Sequence, residues 1–408
     1  MKVVQINAVY GVLSTGRSTK EIADYLKLHD CDCVCFYGEQ KAQWGEEAYF
    51  VGSPLDHKLH ALQNRLLGRQ GYGSKIVTAQ LIRQLKELRP DVVHLQNLHG
   101  NFVNIPQLLS YLAKEDVPTV VTLHDCFFFT GGCMHYTVNG CYQWKAQCRD
   151  CKYLRRGRDY WFVNGAHSDL SRKVELFGAI PRLAVIGVSD WILNQAKQSR
   201  VFGVASLYRR IYNWVDLDVF RPLEPLSCQA KKNLGLEGKF MLLGVAAMWT
   251  DKKGLSDFVA LSKRLPQDYV IVLVGRISPD QKLPENIVVV PPTNNVYELV
   301  DLYSSADVFV HLSKEETFGK VTAEALACGT PCVVVNSTAN PELIGENCGY
   351  VIDSATDVNS LVELLEKICS EGKLVYSASC RKYAIGTFDK EKNLQQHIDL
   401  YREINNIK

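Results

Sequence analysis

The run Ser313-Lys-Glu-Glu-Thr-Phe-Gly-Lys-Val-Thr-Ala-Glu-Ala-Leu-Ala-Cys-Gly-Thr-Pro-Cys-Val-Val-Val335 constrains this chain more than any other stretch. It follows a strand-like apolar run at Asp307–Leu312 and opens a helix at about Gly319. That helix must end at Cys328-Gly329-Thr330-Pro331, and Cys332–Val335 reads as the next strand. The unit is therefore β-loop-α-β, with Glu316 and Glu324 at its loop and helix start. In an open parallel sheet, ligands bind beyond the carboxyl ends of the strands, where this loop lies. The helix start offers unpaired N–H groups and a positive dipole end to an anion. Two carboxylates beside such an anion site point to a ligand bearing both hydroxyls and phosphates, a combination that a nucleotide sugar has.

A chain of 408 residues is long enough for about two domains. Net charge of +2, with no aromatic-rich RNA motif, argues against a dedicated nucleic-acid binder. No apolar run reaches the length of a membrane span, and Met1–Ala8 does not read as a signal peptide. A cytoplasmic protein with reduced thiols is the expectation, despite fourteen cysteines.

Lys2–Ala8 reads as a buried strand, Gly11–Arg17 as a loop and Ser18–Leu28 as a helix. Glycines before a helix allow close approach to a phosphate, but the spacing is not the dinucleotide fingerprint, so on its own the stretch reads as a plain βα turn. His57–Arg89 is helical in pattern and basic, with Lys58, Arg65, Arg69, Lys75, Arg83, Lys86 and Arg89 against the single acid Glu87. Two readings fit it: a solvated face, or a patch for anionic lipid headgroups or a phosphorylated acceptor. Strands at Asp91–Gln96 and Val117–Leu123 end in Asn97, His99, His124 and Asp125, all polar groups at the sheet's carboxyl edge. The strand–helix alternation then restarts beyond Pro222–Ser227, which reads as a linker. The expected fold class is α/β: two doubly wound parallel-sheet domains facing across a cleft, spanning 1–221 and 222–387. A last helical segment at 388–408 is expected to cross back to the first domain.

A segment at about 126–152, rich in Gly and aromatics, lies inside the first domain. Within it Cys133-x7-Cys141-x6-Cys148-x2-Cys151 presents four thiols, which suit a structural tetrahedral zinc. Reduced thiols and two disulfides are the alternatives, and the first two spacings are not those of a zinc ribbon. Four thiol ligands leave no open position, so this cluster is not assigned to catalysis.

These residues together resemble the retaining GT-B glycosyltransferases of family 4. Glu316-Thr-Phe-Gly-Lys-Val-Thr-Ala-Glu324 resembles their Glu-x7-Glu signature, with the Glu-Ala-Leu-Ala-Cys-Gly-x-Pro tail. Asn213-x-Val-Asp-Leu-Asp-x-Phe-x-Pro resembles their interdomain hinge, with Trp214 for the usual glycine. Lys252-Lys253-Gly254 resembles their donor-domain Lys-Gly step, and His124-Asp125 their acceptor-domain histidine. The cysteine segment is similar to a subgroup from bacterial exopolysaccharide, capsule and O-antigen clusters, including colanic-acid-type transferases.

The resemblance implies that a hexosyl unit moves from a UDP- or GDP-linked sugar to a glycan or undecaprenyl-linked acceptor at the inner membrane face. It places Glu324 on the ribose and Glu316 on the sugar hydroxyls, with His124 near the transferred sugar. Lys253 would neutralise the departing diphosphate, with Lys252, Arg17 and Gly16 around it. The N–H groups of Phe318, Gly319, Lys320 and Val321, beside Thr317, would take phosphate or sugar oxygens. Asn97, His99 and Asp125 are the acceptor-side candidates. The arginine that the family carries six residues before Lys253 is Ala247 here. No Asp-x-Asp metal motif lies in the elements expected to line the cleft, which fits transfer without a catalytic metal or other cofactor. The alternatives are a catalytically silent paralogue that binds sugar nucleotide, and an epimerase or phosphorylase on the same architecture.

Overall fold

The structure is a computed structural model that describes residues 1–41, 48–149, 151, 161–293 and 295–407. Asp150 and Lys152 of the cysteine segment, and Lys408 of the terminal segment, lie outside the described residues. The chain divides into two compact units: Met1–Ile211 with Leu394–Lys408, and Tyr212–Asn393.

The first unit contains β1 (Lys2–Tyr10), α1 (Leu13–Leu28), β2 (Asp32–Lys41), β3 (Ala48–Phe50), α2 (Pro54–Leu67), α3 (Lys75–Leu88) and β4 (Val92–Leu95). It continues with α4 (Ile105–Lys114), β5 (Thr119–Leu123), α5 (Ala166–Gly178), β6 (Leu183–Gly187), α6 (Asp190–Lys197) and β7 (Leu207–Arg210). Its seven strands lie in the order β3-β2-β1-β4-β5-β6-β7, all parallel. The central strands are buried on both faces, which is why β6 reads as a continuous apolar run and β4 and β5 carry only one and two polar residues. The strand order reverses between β1 and β4, so this is the point where their carboxyl ends open a crevice.

The second unit contains α7 (Ala230–Asn233), β8 (Phe240–Met248), α8 (Leu255–Ser262), β9 (Tyr269–Arg276), β10 (Ile287–Val290), α9 (Val296–Ser305) and β11 (Val308–His311). After these come α10 (Lys320–Ala327), β12 (Cys332–Val335), β13 (Gly349–Ile352), α11 (Val358–Glu371), α12 (Leu374–Phe388) and α13 (Lys390–Asn405), which runs on into the first unit. Its six parallel strands have the order β10-β9-β8-β11-β12-β13, with the reversal between β8 and β11.

Two sequence expectations need correction. Gly16 and Arg17 are not in a loop, because α1 begins at Leu13. A Cβ on Gly16 would stand 3.1 Å from Tyr10 N and Val9 C, so the glycine lets α1 pack closely on β1. The unit boundary falls at Ile211/Tyr212, before the expected 221/222. Tyr212 packs on Phe318 and Phe388, and Val215 N donates to Phe388 O at 3.0 Å, which ties the expected hinge into the second unit. The terminal segment enters the first unit from Leu394 onward, where Tyr401 hydroxyl meets His94 Nδ1 at 2.8 Å.

Candidate active site

In the second unit, the switch point between β8 and β11 gathers charge. Lys253 ends a short 3-10 turn after β8, where Gly254 takes a left-handed φ of 82°. A Cβ there would strike Leu312 backbone atoms at 2.7 Å, so glycine is required for the close approach. Lys253 Nζ lies 2.5 Å from Glu316 Oε1, and His311 Nε2 lies 3.3 Å from the same oxygen but off the hydrogen-bond axis. Burial alone pushes the Glu316 carboxyl up; His311 and Lys253 outweigh it and hold the group well below the usual carboxylate range. Lys252 pairs with buried Glu315 at 3.3 Å, which commits part of its charge. Thr338 Oγ1 accepts from Glu316 N at 2.8 Å and fixes the loop backbone.

The loop then enters α10 through Gly319 at φ 91°, with no side chain capping the helix start. The first N–H groups of a helix have no intrahelical partner. Those of Lys320 and Val321 are therefore available to an anion, with the dipole favouring it. Phe318 is buried between Tyr212 and Phe388, so its ring serves the core and only its backbone belongs to the site. Thr317 lies on the same loop, partly exposed. Glu324 is the fifth residue of α10 and lies outside the first turn, so a simple dipole-capping role does not fit. Its Oε2 accepts from the hydroxyl of fully buried Tyr303 at 3.1 Å. Tyr303 and His311 are site residues that sequence reading missed. His311 carried a readable signal, a histidine closing a strand beside the switch point; Tyr303 carried none.

In the first unit, β4 and β5 deliver a second polar cluster. His124 Nε2 lies 3.0 Å from Gln96 Oε1, and Gln96 Nε2 donates to Gln5 Oε1 at 2.6 Å. Gln5 in turn donates to Thr19 O at 3.0 Å, so a buried amide chain ties His124 to α1. Burial drives the His124 imidazole down to about 4 even though Asp125 pulls the other way, which keeps it neutral near pH 7. His99 Nε2 meets Asp125 Oδ2 at 2.9 Å, and Phe127 N donates to Asp125 Oδ1 at 2.8 Å. Burial opposes charge on His99, but Asp125 and Glu39 raise it on balance. Asn97 N donates to Asn7 Oδ1 at 3.1 Å, and Asn97 itself is partly exposed. Gly16 is buried against β1, and Arg17 is exposed on α1.

The cysteine segment owes its order to aromatic packing that periodicity did not reveal. Phe129, Tyr136 and Trp144 are buried, with ring centroids 5.0 Å apart for Phe129–Trp144 and 5.1 Å for Tyr136–Trp144. Buried Lys173 caps it, donating to Phe127 O at 2.6 Å and Thr130 O at 3.1 Å. Cys133, Cys141, Cys148 and Cys151 line one cavity of about 300 Å³, and Cys133 and Cys151 are in hydrogen-bond contact. The donor set suits zinc, but among the described residues no three such side chains are arranged to hold a metal.

Comparison with known proteins places this geometry. Residues 15–219 match the family described as Glycosyltransferase Family 4, and residues 229–387 match Glycosyl transferases group 1. The chain belongs to glycosyltransferase family 4. It is 23% identical over 329 residues, 77% of each chain, to WcaC of Escherichia coli (strain K12), named for colanic acid biosynthesis. Over 209 residues, 47% of this chain and 53% of the other, it is 26% identical to an Escherichia coli protein. That protein is named UDP-Gal:alpha-D-GlcNAc-diphosphoundecaprenol alpha-1,3-galactosyltransferase. In fold it is similar to Anabaena HepE, solved in complex with UDP-glucose, with a TM-score of 0.63. That likeness holds at 16% identity over 98% of this chain and 99% of the other. Both sheets are Rossmann-like, and the family 4 chain has the GT-B fold.

Proposed function

We propose that this family 4 glycosyltransferase moves a hexosyl unit from a UDP- or GDP-linked sugar to a lipid-linked glycan acceptor, with retention of configuration. The observation that carries this is the cluster of Lys253, His311 and Glu316 before the uncapped start of α10, with Glu324 held by Tyr303. The names of the relatives, for colanic acid biosynthesis and a diphosphoundecaprenol acceptor, support a surface-polysaccharide role.

In this reading Glu324 accepts from the ribose hydroxyls and Glu316 from the sugar hydroxyls. Lys253 and the amides of Gly319–Val321 neutralise the diphosphate as the bond from C1 to the phosphate oxygen breaks. The acceptor oxygen bonds C1 on the same face, and its proton passes to the departing phosphate oxygen. Neutral His124 offers a hydrogen-bonding nitrogen to the sugar, while His99 and Asp125, with Asn97, orient the acceptor. Protein residues suffice for this scheme, and it calls on no cofactor. The enzyme acts in the cytoplasm at the inner membrane face, although no described helix is long and apolar enough to cross a membrane.

Purified protein is offered a panel of UDP- and GDP-sugars, with transfer and slow donor hydrolysis followed by mass. Turnover that falls in Glu316→Ala supports the transferase. Tight nucleotide binding without turnover, unchanged by Glu316→Ala, establishes the silent paralogue that Ala247 raises. Interconversion of the sugar nucleotide without acceptor identifies an epimerase.

A further inference from the structure

Helix α2 is inside out. Surface helices of soluble proteins turn apolar side chains inward and polar ones to water. In α2 the buried residues are His60 and Asn64, while Leu55 is 65% exposed, Leu59 56%, Leu62 44% and Leu66 39%. The four leucines follow a 4-3-4 spacing, so they form one ridge along a single face. The opposite face is pinned by polar contacts. His60 Nδ1 lies 2.9 Å from Ser74 Oγ, His60 Nε2 accepts from Gly73 N at 3.1 Å, and Asn64 Nδ2 donates to Asn101 Oδ1 at 2.8 Å. Turning the leucines inward would break all three contacts and expose a polar face in exchange.

The ridge continues past the helix end. Trp161 N donates to Arg65 O at 2.8 Å, the Arg65 guanidinium lies 5.9 Å from the Trp161 ring, and Phe162 is 77% exposed. Lys58, Arg65 and Arg69 are exposed beside it. The one acid on the helix, Asp56, is occupied by the capping box with Ser53, whose hydroxyl donates to it at 2.6 Å. An exposed aliphatic ridge, an aromatic shoulder and exposed positive charge form the pattern of a helix that lies in the plane of an anionic bilayer.

We propose that α2, with Trp161 and Phe162, docks this enzyme on anionic lipid by sinking the leucine ridge among the acyl chains. The inference rests on the lipid-linked-acceptor reading for its purpose, but its surface observations are independent of donor chemistry. A second copy of the chain is the competing occupant, since a 4-3-4 leucine spacing also suits a coiled-coil seam. The flanking charges speak against it: two such faces set together bring Lys58 and Arg65 near their like, and the helix's own acid, Asp56, is already taken by its cap.

The test measures binding of the full chain to phosphatidylcholine vesicles with and without phosphatidylglycerol. Binding is expected on the anionic vesicles, weakening with salt and reduced roughly tenfold or more in Leu59→Asp/Leu62→Asp. Circular dichroism and donor hydrolysis in solution should be unchanged in that variant. Quenching by brominated lipid should fall in Trp161→Phe, which tests the geometry without disturbing the helix. Wild-type binding that is absent, or equal in the double variant, overturns the proposal. So does a wild-type dimer that the double variant splits, which assigns the ridge to a second copy. If vesicle binding is present while no sugar nucleotide turns over, the transferase reading fails and the docking surface stands.

Discussion

Lys253 Nζ and Glu316 Oε1 meet at 2.5 Å at the carboxyl edge of the second sheet. The cation that the proposed chemistry needs for the diphosphate is thus held by the carboxylate that it needs for the sugar. Donor binding must divide the pair, with phosphate taking the lysine and sugar hydroxyls donating to the glutamate. Glu316→Gln should therefore lower turnover by about 10²-fold or more, while affinity for the free nucleoside diphosphate is kept or improved because Lys253 is released. Lys253→Ala should lower both. Turnover by single-turnover kinetics and affinity by calorimetry separate the two variants; equal loss of affinity in both would refute the division of labour.

Glu324 is aimed by Tyr303, whose hydroxyl donates to it at 3.1 Å. The phenol is fully buried, and replacing it by phenylalanine keeps the ring and its packing against Phe309. Tyr303→Phe should therefore raise KM for the donor several-fold and leave kcat closer to wild type. Steady-state kinetics over a donor range checks this. A change in kcat alone would indicate that Glu324 is not a ground-state ribose contact.

Acid should weaken the fold through neutral buried histidines. Burial drives both His60 and His124 down to about 4, whereas an exposed histidine titrates near 6.5. Between those values the unfolded chain binds protons that the folded chain refuses. Stability is then fully present above about 6.5, falls with falling pH, and is lost by about 4. The loss is up to about 3 kcal/mol for each histidine. Urea midpoints at about pH 7.5 and about pH 5 should differ in that direction, and a flat profile would contradict the burial of these rings. His60 Nε2 already accepts from Gly73 N, so its protonation also loosens α2.

The four cysteines pose a direct question of metal content. They line one cavity, with Cys133 and Cys151 in contact, yet among the described residues no three such side chains are set to hold a metal ion. If zinc closes them, protein purified under reducing conditions should carry about one zinc per chain. Cys148→Ser should then lose it, with a lower melting temperature. Metal well below one per chain, with all fourteen thiols titratable in the denatured protein, assigns the cavity to reduced cysteines packed beside Trp144.

The parallel strands were legible because strands buried on both faces leave continuous apolar runs, as at Cys332–Val335. The acidic pair was legible because its spacing spans one loop and one helix start. What failed depends on packing partners that no local pattern names. Gly16 looked like a loop glycine, since nothing local tells that its missing Cβ faces Tyr10 of β1. Tyr303 reaches Glu324 only through the packing of α9 on α10. The basic character of residues 57–89 was visible, but the outward turn of the leucines was not. It is set by Ser74, Gly73 and Asn101, which claim His60 and Asn64 for the inner face.

The cation absent at Ala247 has a structural candidate. Ala247 lies exposed near the end of β8, after a register shift between Val245 and Met248. Such a bulge redirects the side chains at a strand end. Beyond it Met248 stands opposite Arg276, the last residue of β9, and Trp249 N donates to Arg276 O at 2.8 Å. Arg276 is exposed and makes no ion pair among the described residues, whereas Lys252 is committed to Glu315. A guanidinium one strand over is therefore free to supply the charge missing at 247. Arg276→Ala should cut turnover by about 10²-fold, in the range for loss of one transition-state donor. Adding Ala247→Arg to that variant should restore much of it. Arg276→Ala with wild-type turnover, or no rescue by Ala247→Arg, would leave Lys253 and the helix amides as the whole of the positive side.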